Sequence, residues 1–296
     1  TSLQNAIDAV KDGETITILR NISTAKAVTI DKKAVSFTID CNDKSYSYTG
    51  DGTALLIKAG NITLKNGNIS TKGRIMEIKA SAKAIITNGS YNGYFLNRGS
   101  LTITDGTFTT KDCASLSMKE LIRNYKTLTI KGGSFSGSKD NLIENRKGAK
   151  ASLLGGSFKC TSSSYPAILN QSGGTMTLKG LTAQGKNTAV TNFGHMTIKG
   201  GSYKATKKQA LKNVGDINIQ AGTFDLSSTN TSEAILNLGQ MIITKISLKD
   251  GGILNAGYYG DDSNEAILDI SGGSFTTSKH IVIDNYYGTL KISGGK

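Results

Sequence analysis

Residues 128–135 read LTIKGGSF, and nearly the same letters return at 196–203 as MTIKGGSY and at 268–275 as LDISGGSF. A repeat of about 20–50 residues is the signature of a solenoid. Each octet alternates apolar and polar residues, turns at glycine and resumes with Phe or Tyr, which predicts two short strands joined by a corner. With substitutions, the octet begins at intervals of 17 to 27 residues at Ile62, Ala84, Leu101, Leu128, Ala151, Met176, Met196, Ile217, Met241, Leu268 and Leu290.

A second pattern predicts a third strand in each coil. Triplets with an apolar residue two places before an asparagine lie upstream of most octets. The apolar residue should point inward and the variable middle residue outward, because successive side chains of a strand alternate. We attribute the asparagines to sharp corners, since asparagine tolerates a left-handed backbone. They would stack in one column, formed by Asn97, Asn124, Asn145, Asn170, Asn192, Asn213, Asn237, Asn255 and Asn285.

These elements predict an all-β fold, a right-handed single-stranded parallel β-helix of about 12 coils with three short strands in each. The repeat runs through without a linker, so residues 1–296 are predicted to form one domain. Residues 1–13 should form a capping helix that starts at Ser2 and ends at Gly13. Its apolar face would be Leu3, Ala6, Ile7 and Val10. Residues 290–296 stop within a repeat, so we expect this chain to be a piece of a longer protein.

The asparagine column and the glycine-containing octets resemble the pectate-lyase-like β-helix superfamily along the whole chain. This family includes polysaccharide lyases, hydrolases, phage tailspikes and bacterial surface adhesins. The simple octets of Thr, Lys and Gly are most similar to non-enzymatic, adhesin-like β-helices on the surface of Gram-positive bacteria. The resemblance therefore implies an extracellular, secreted or cell-surface location. The two earliest coils depart from the family's asparagine ladder, since Lys58 and Ala80 occupy its position.

The charge pattern is basic. The chain has 35 Lys and Arg residues against 22 Asp and Glu, a formal net charge of +13. One octet position predicts a broken basic column, which would favour anionic glycans, wall polymers or nucleic acid. Lysines that only keep a long sheet soluble would give the same pattern. The aromatic residues sit at inward octet positions, which argues against specific nucleic-acid binding. The basic column is Lys65, Lys131, Lys179 and Lys199.

The three cysteines, Cys41, Cys113 and Cys160, are odd in number and lack metal-ligand spacing. We interpret them as free, mostly buried thiols rather than as a disulfide scaffold.

A catalytic site would need acids in register on adjacent coils, because hydrolases of this type use paired carboxylates. We find no stacked carboxylates. Arg123 and Glu144 lie in neighbouring coils and predict a surface ion pair of little energetic weight. His195 and His280 have no nucleophile or metal partner in register and are interpreted as structural. We therefore predict no catalytic residue, no metal site and no cofactor.

The C-terminal corner is the candidate binding site. The stretch AGYYGDDSNEAI at 256–267 is inserted at a corner that is otherwise short, and the next coil adds two tyrosines there. Tyrosines stack on sugar faces and carboxylates bind hydroxyls or calcium, so we expect a glycan site with calcium as an alternative ligand. A loop that packs its own tyrosines against the rod is the other interpretation. The candidate residues are Tyr258, Tyr259, Asp261, Asp262, Glu265, Tyr286 and Tyr287.

The sequence thus favours a non-catalytic extracellular rod that binds glycans or anionic wall or host polymers. Its expected partners also include other domains of a longer surface protein, and neither specific nucleic-acid binding nor membrane insertion is predicted. The alternative is a polysaccharide lyase or glycoside hydrolase that acts on an acidic polysaccharide through the loops beside the third strand.

Overall fold

The structure, a computed structural model, describes residues 2–111, 113, 120–226, 232–257, 265–277 and 281–296. It is an all-β parallel β-solenoid of about 11 turns, and its described residues contain one short N-terminal helix. The fold class predicted from the octet and the asparagine triplets is therefore confirmed, with about one turn fewer than the repeat suggested.

The helix α1 spans Leu3–Ala9. The strands in the first third of the chain are β1 Thr15–Thr17, β2 Ile22–Thr24, β3 Val28–Asp40, β4 Ser45–Tyr48, β5 Thr53–Lys65, β6 Gly67–Ile86, β7 Gly89–Asn97, β8 Ser100–Ile103 and β9 Thr107–Thr109. Those in the middle are β10 Ile122–Asn124, β11 Thr127–Ile130, β12 Ser134–Gly137, β13 Ile143–Asn145, β14 Lys150–Leu153, β15 Ser157–Cys160, β16 Ile168–Asn170, β17 Thr175–Leu178, β18 Thr182–Gly185, β19 Val190–Asn192 and β20 His195–Ala205. The remaining ones are β21 Leu211–Asn213, β22 Asp216–Leu226, β23 Glu233–Asn237, β24 Gln240–Ile243, β25 Ser247–Lys249, β26 Gly252–Ala256, β27 Ile267–Ile270, β28 Ser274–Thr276, β29 Ile283–Tyr286 and β30 Thr289–Ile292.

Each coil contributes one strand segment to each of three faces. Face A carries the first half of the octet, as in β11, and face B carries the aromatic half, as in β12. Face C carries the asparagine triplet, as in β10. Every segment pairs in parallel with the same face of the coils before and after it, so that Leu128 lies between Leu101 and Ala151. All eleven octet starts predicted from the sequence lie in this one column.

The helix α1 covers the N-terminal end of the core. Ile7 is buried, and the Gln4 side chain bonds both the N–H and the carbonyl of Thr29, which fixes the helix on β3. The Ser2 hydroxyl accepts a hydrogen bond from the Asn5 N–H, as predicted for the start of the helix. The predicted end was wrong: the helix stops at Ala9, and Gly13, at φ +79°, instead forms the turn before β1.

The aromatic side chains of face B stack inside the rod. The rings of Tyr91, Phe108, Phe135 and Phe158 follow one another at centroid distances of 5.0, 4.8 and 4.6 Å and are nearly parallel. Each such pair contributes about 0.5–1.5 kcal/mol beyond its buried area. Ala183 interrupts the stack, since it pairs with Phe158 on one side and with Tyr203 on the other.

The predicted asparagine column is a hydrogen-bonded ladder. The Nδ2 of each asparagine donates to the Oδ1 of the asparagine in the next coil, at 2.7–2.8 Å throughout. Each Nδ2 also donates to a backbone carbonyl of the next coil, as Asn192 does to Asp216 O. The first eight asparagines are fully buried, whereas Asn285 in the last coil is exposed. The ladder thus satisfies buried polar groups that would otherwise be costly.

Two details of the ladder differ from the prediction. Its position in the earlier coils is held by Ile57 and Ile78, not by Lys58 and Ala80, because Ile78 pairs with Asn97. None of the nine asparagines has a positive φ, so they are not there to make left-handed corners. The glycine that often follows two residues later is required because the backbone of the preceding coil lies very close. A Cβ on Gly99 would clash with the Ala82 carbonyl oxygen of that coil.

All three cysteines are free and buried, as predicted. Burial raises the pKa of the Cys41 thiol to about 11. At neutral pH this thiol is therefore protonated and a poor nucleophile.

Candidate functional site

The predicted C-terminal site is only partly within the described residues. Tyr258, Tyr259, Asp261 and Asp262 lie outside them, and Glu265, Tyr286 and Tyr287 lie within them. The three described residues meet at one corner. Tyr286 closes β29, Tyr287 follows it, and Glu265 accepts a hydrogen bond from the hydroxyl of Thr289 at the start of β30.

Tyr286 and Tyr287 form an exposed aromatic pair. Their side chains are 58% and 49% exposed, and their ring centroids lie 4.3 Å apart at an interplanar angle of 71°. A side-chain hydrogen bond with Tyr286 raises the pKa of the Tyr287 phenol. The two rings therefore contact each other and are about half exposed to solvent, which is the arrangement that the glycan interpretation requires.

The backbone at Tyr287 supports this orientation. Its φ of 53° is in the left-handed region, which is unusual for a bulky aromatic residue. Strained backbone of this kind persists where the surrounding structure holds it, and it is concentrated at functional sites. Here the strained residue is the one that carries the half-exposed ring.

Face C carries a charged cluster that the sequence predicted only in part. The Arg123 guanidinium donates from Nε to Glu144 at 3.0 Å and from Nη2 to Glu120 at 2.5 Å. Glu144 also accepts hydrogen bonds from Arg146 at 2.8 Å and from Gln171 at 2.9 Å. We call these five residues the face-C cluster.

The prediction of a surface ion pair at Arg123 and Glu144 was wrong. Glu144 is 3% exposed and Glu120 5% exposed, so both carboxylates are buried rather than at the surface. Removing one partner of a buried ion pair leaves an uncompensated buried charge. The loss of one charged residue from this cluster should therefore destabilise the fold more than the loss of one from the exposed pair that was expected. The sequence signal for Glu120 was its position three residues before Arg123.

The two carboxyl groups of the cluster differ electrostatically. Burial raises the pKa of Glu120 above its usual value. Burial acts in the same direction on Glu144, but hydrogen bonds from Gln171, Arg146 and Glu120 outweigh it and hold the pKa of Glu144 below its usual value. A pair of carboxyl groups with pKa values moved apart can serve as acid and base. In this structure both groups face arginines in a closed environment.

His195 has an acidic neighbour. It pairs in register with Asp216 on face A, and its Nδ1 lies 2.9 Å from the Asp216 carboxylate. Both side chains are more than half exposed. The other histidine, His280, lies outside the described residues.

The predicted basic column is broken as expected. Leu154 separates Lys131 from Lys179, while Lys179 and Lys199 occupy adjacent coils at the corner between faces A and B. The residues before the octet aromatic, which the sequence reasoning passed over, form an outward row of hydroxyls on face B. The row runs through Ser90, Thr107, Ser134, Ser157, Thr182, Ser202, Thr223, Ser247 and Ser274.

Among the described residues, no group of three or more His, Cys, Asp or Glu side chains is placed to hold a metal ion. The seven-residue helix α1 is too short to span a bilayer, and the rest of the described chain forms no longer helix. Comparisons with protein-family models, with curated proteins and with solved structures found no match to this chain.

Proposed function

We propose that this chain is a non-catalytic, extracellular β-solenoid that binds glycans at the corner formed by Tyr286 and Tyr287. The observation that carries the proposal is the exposed pair of rings. A rigid aromatic pair offers a large amphipathic contact area at little entropic cost, and pyranose rings present C–H faces that pack on it. Glu265 lies at the same corner and adds a carboxylate acceptor for sugar hydroxyls.

The rest of the proposal follows the character of the repeat. A stiff rod of stacked coils suits the display of such a corner on a cell surface, as in the adhesin-like β-helices that the octets resemble. The lyases and hydrolases of the pectate-lyase-like superfamily would require accessible acids, and the paired acids of this chain are enclosed.

A glycan array probed with and without calcium tests the proposal. We expect binding to a defined set of glycans, and at least tenfold weaker binding by the Tyr286→Ala, Tyr287→Ala double variant, which is about 1.4 kcal/mol. Tyr165→Ala is the matched control, since Tyr165 is 41% exposed elsewhere on the rod. Equal binding by both variants and the unmodified chain would contradict a site at this corner. Loss of binding without calcium would assign that ion a role.

The second candidate is the polysaccharide lyase or glycoside hydrolase, favoured by one observation, the separation of the pKa values of Glu120 and Glu144. Incubation with pectate, alginate, xylan and hyaluronan, followed by absorbance near 235 nm and by reducing ends, tests it. We expect no sustained release. Release that Glu120→Gln or Glu144→Gln abolishes would establish the enzyme and overturn the non-catalytic proposal.

A further inference from the structure

Face B and its corner with face A carry a concentrated positive charge. Seven lysines lie there on five of six successive coils, and one aspartate, Asp225, lies on the remaining coil, so this surface has a net charge of +6 within a chain of +13. At about 4.8 Å per coil the surface is about 25 Å long. We call it the lysine ribbon, formed by Lys131, Lys159, Lys179, Lys199, Lys204, Lys245 and Lys249.

The adjoining face A does not share this charge. Over the same coils, the outward positions of face A hold one lysine, Lys150, and one aspartate, Asp216. Asp105 at the corner one coil earlier and Asp250 just after Lys249 bound the ribbon at its two ends. A uniform distribution of solubilising lysines would not leave face A neutral while it loads face B.

The lysines are available to a ligand. Within the described part of the chain, Lys204 is the only one of the seven with an acidic partner, Asp225 at 3.1 Å. The other six side chains are exposed at the surface. Lysines that are concentrated on one side of the rod repel one another unless an anion lies among them, so the arrangement favours a bound polyanion.

Hydroxyl groups run between the two lines of lysines. Ser134, Ser157, Thr182, Ser202, Thr223 and Ser247 occupy one register position on these six coils. None of their hydroxyls hydrogen-bonds another protein group within the described residues. Between this row and the corner, most positions of these coils are glycines such as Gly132, Gly133, Gly200 and Gly201, which leave a strip with little side-chain bulk, and the last of the six coils places Lys245 there. A chain lying on this strip would meet ammonium groups on both sides and hydroxyls beneath it.

The chemistry of the ribbon selects among polyanions. Its outward positions hold no arginine and no aromatic residue. The ribbon therefore lacks the guanidinium fork that binds carboxylates and phosphates in two places at once, and it lacks the aromatic faces on which bases of single-stranded nucleic acid stack. Ammonium groups and hydroxyls act as compact donors, which suits the tetrahedral oxygens of phosphate groups.

We propose that the lysine ribbon binds a linear phosphodiester polymer of an acyclic polyol, extended along the rod axis. This site is independent of the tyrosine corner and of the proposed glycan binding there. The polymer needs no base and no sugar ring, since the ribbon offers nothing on which either could stack.

Titration calorimetry with poly(glycerol phosphate) at low and moderate salt tests this proposal. The variant Lys159→Gln, Lys204→Gln, Lys249→Gln should bind at least tenfold more weakly. Its dependence of log K on log salt should be shallower by about two units, since each single-strand phosphate contact contributes about 0.7. The matched control is Lys126→Gln, Lys150→Gln, Lys212→Gln, which removes the same charge from the other sides of the rod and should change the affinity less than about twofold.

Three further arms decide the ligand class and the site. Polygalacturonate and oligothymidylate, at equal charge concentration, should bind at least tenfold more weakly than poly(glycerol phosphate). The variant Ser157→Ala, Ser202→Ala, Ser247→Ala should weaken binding several-fold, and the double tyrosine variant should not weaken it. Equal losses in the two lysine variants, tighter binding of either comparison polymer, or no effect of the serine changes would each overturn the proposal. All variants should keep the thermal midpoint of the unmodified chain.

Discussion

The inward and outward columns of this solenoid obey different constraints. On face C, every coil from Asn97 to Asn285 places the same amide inward, although the residue one place before it changes from Leu96 to Arg123 to Glu144. On face B, the inward column from Tyr91 onward mixes Tyr, Phe, Ala and Leu, but the hydroxyl beside it is repeated in every coil from Ser90 to Ser274. A column keeps one type of side chain where each member is hydrogen-bonded to the next, or where a ligand would bind along the column. The type of side chain varies elsewhere.

The difference separates the positions that stabilise the fold from those that are open to a ligand. The inward amides hold the coils in register, because each supplies the acceptor that its neighbour needs. The outward positions do not hold the coils in register, so their residues can change from coil to coil without affecting the fold. The ring pair at Tyr286 and Tyr287 and the lysine ribbon lie at such outward positions. Substitutions at inward positions should therefore change unfolding, and substitutions at outward positions should change binding.

Substitutions that interrupt the asparagine ladder should lower the free energy of unfolding the most. Asn213→Ala removes the acceptor of Asn192 and the donor to Asn237, and buried polar groups without partners cost about 1–3 kcal/mol each. We expect the free energy of unfolding in urea to fall by about 3 kcal/mol, against less than about 0.5 kcal/mol for the outward neighbour Lys212→Ala. Asn97→Ala should cost less than Asn213→Ala, because no asparagine precedes Asn97. Equal, negligible effects of Asn213→Ala and Asn97→Ala would contradict a stabilising role of the ladder.

Substitutions in the face-C cluster should cause the next largest loss of free energy of unfolding, and this loss should depend on pH. Glu144 has a lowered pKa, so its stabilising contribution is present above about pH 4.5 and is lost as the pH falls through its value in the folded chain. Glu144→Gln should cost about 2 kcal/mol at neutral pH, and the difference from the unmodified chain should shrink in acid.

Glu120→Gln is the control for that prediction. The raised pKa of Glu120 means that its contribution is present below about pH 4.5 and is lost as the pH rises through its value in the folded chain. Glutamine resembles the neutral acid, so this change should cost less than half as much at neutral pH. A larger loss from Glu120→Gln than from Glu144→Gln, measured by urea unfolding at both pH values, would reverse the assignment.

The aromatic column should be the most tolerant inward column. Phe135→Leu removes the two stacked ring pairs that Phe135 forms with Phe108 and Phe158 but keeps an apolar side chain at this position, as Leu248 does naturally in a later coil. We expect a loss of about 1.5 kcal/mol, since each stacked pair contributes about 0.5–1.5 kcal/mol beyond its buried area. A loss as large as that of Asn213→Ala would show that ring stacking, rather than amide bonding, sets the register.

Periodicity made the register of the octets and of the ladder predictable, because each coil repeats the same inward residues. The ladder position in the earlier coils was misplaced because Ile57 and Ile78 occupy it there. These apolar residues suit an inward position, and nothing in the sequence distinguishes them from other core residues. The reasoning from periodicity also missed Glu120, which lies in the longest interval between an octet and its asparagine. Contacts made by such irregular segments have no period, and their burial depends on how the segment folds back.

The periodicity of the octets also made part of the candidate binding surfaces predictable from the sequence. The basic column could be read from one octet position, but Lys159, Lys204 and Lys249 join it only once corners and strands are placed around the rod. The exposure of Tyr286 and Tyr287 could not be read from their letters, because a tyrosine at a corner can turn inward or outward with the same sequence.

The most direct test of the account is to measure glycan affinity and the thermal midpoint together for the Tyr286→Ala, Tyr287→Ala variant, with the best ligand of the array. The account predicts at least tenfold weaker binding, about 1.4 kcal/mol, with a midpoint within about 1 °C of the unmodified chain. A lowered midpoint with unchanged affinity would contradict it, since the rings would then be packing residues and the corner would bind nothing.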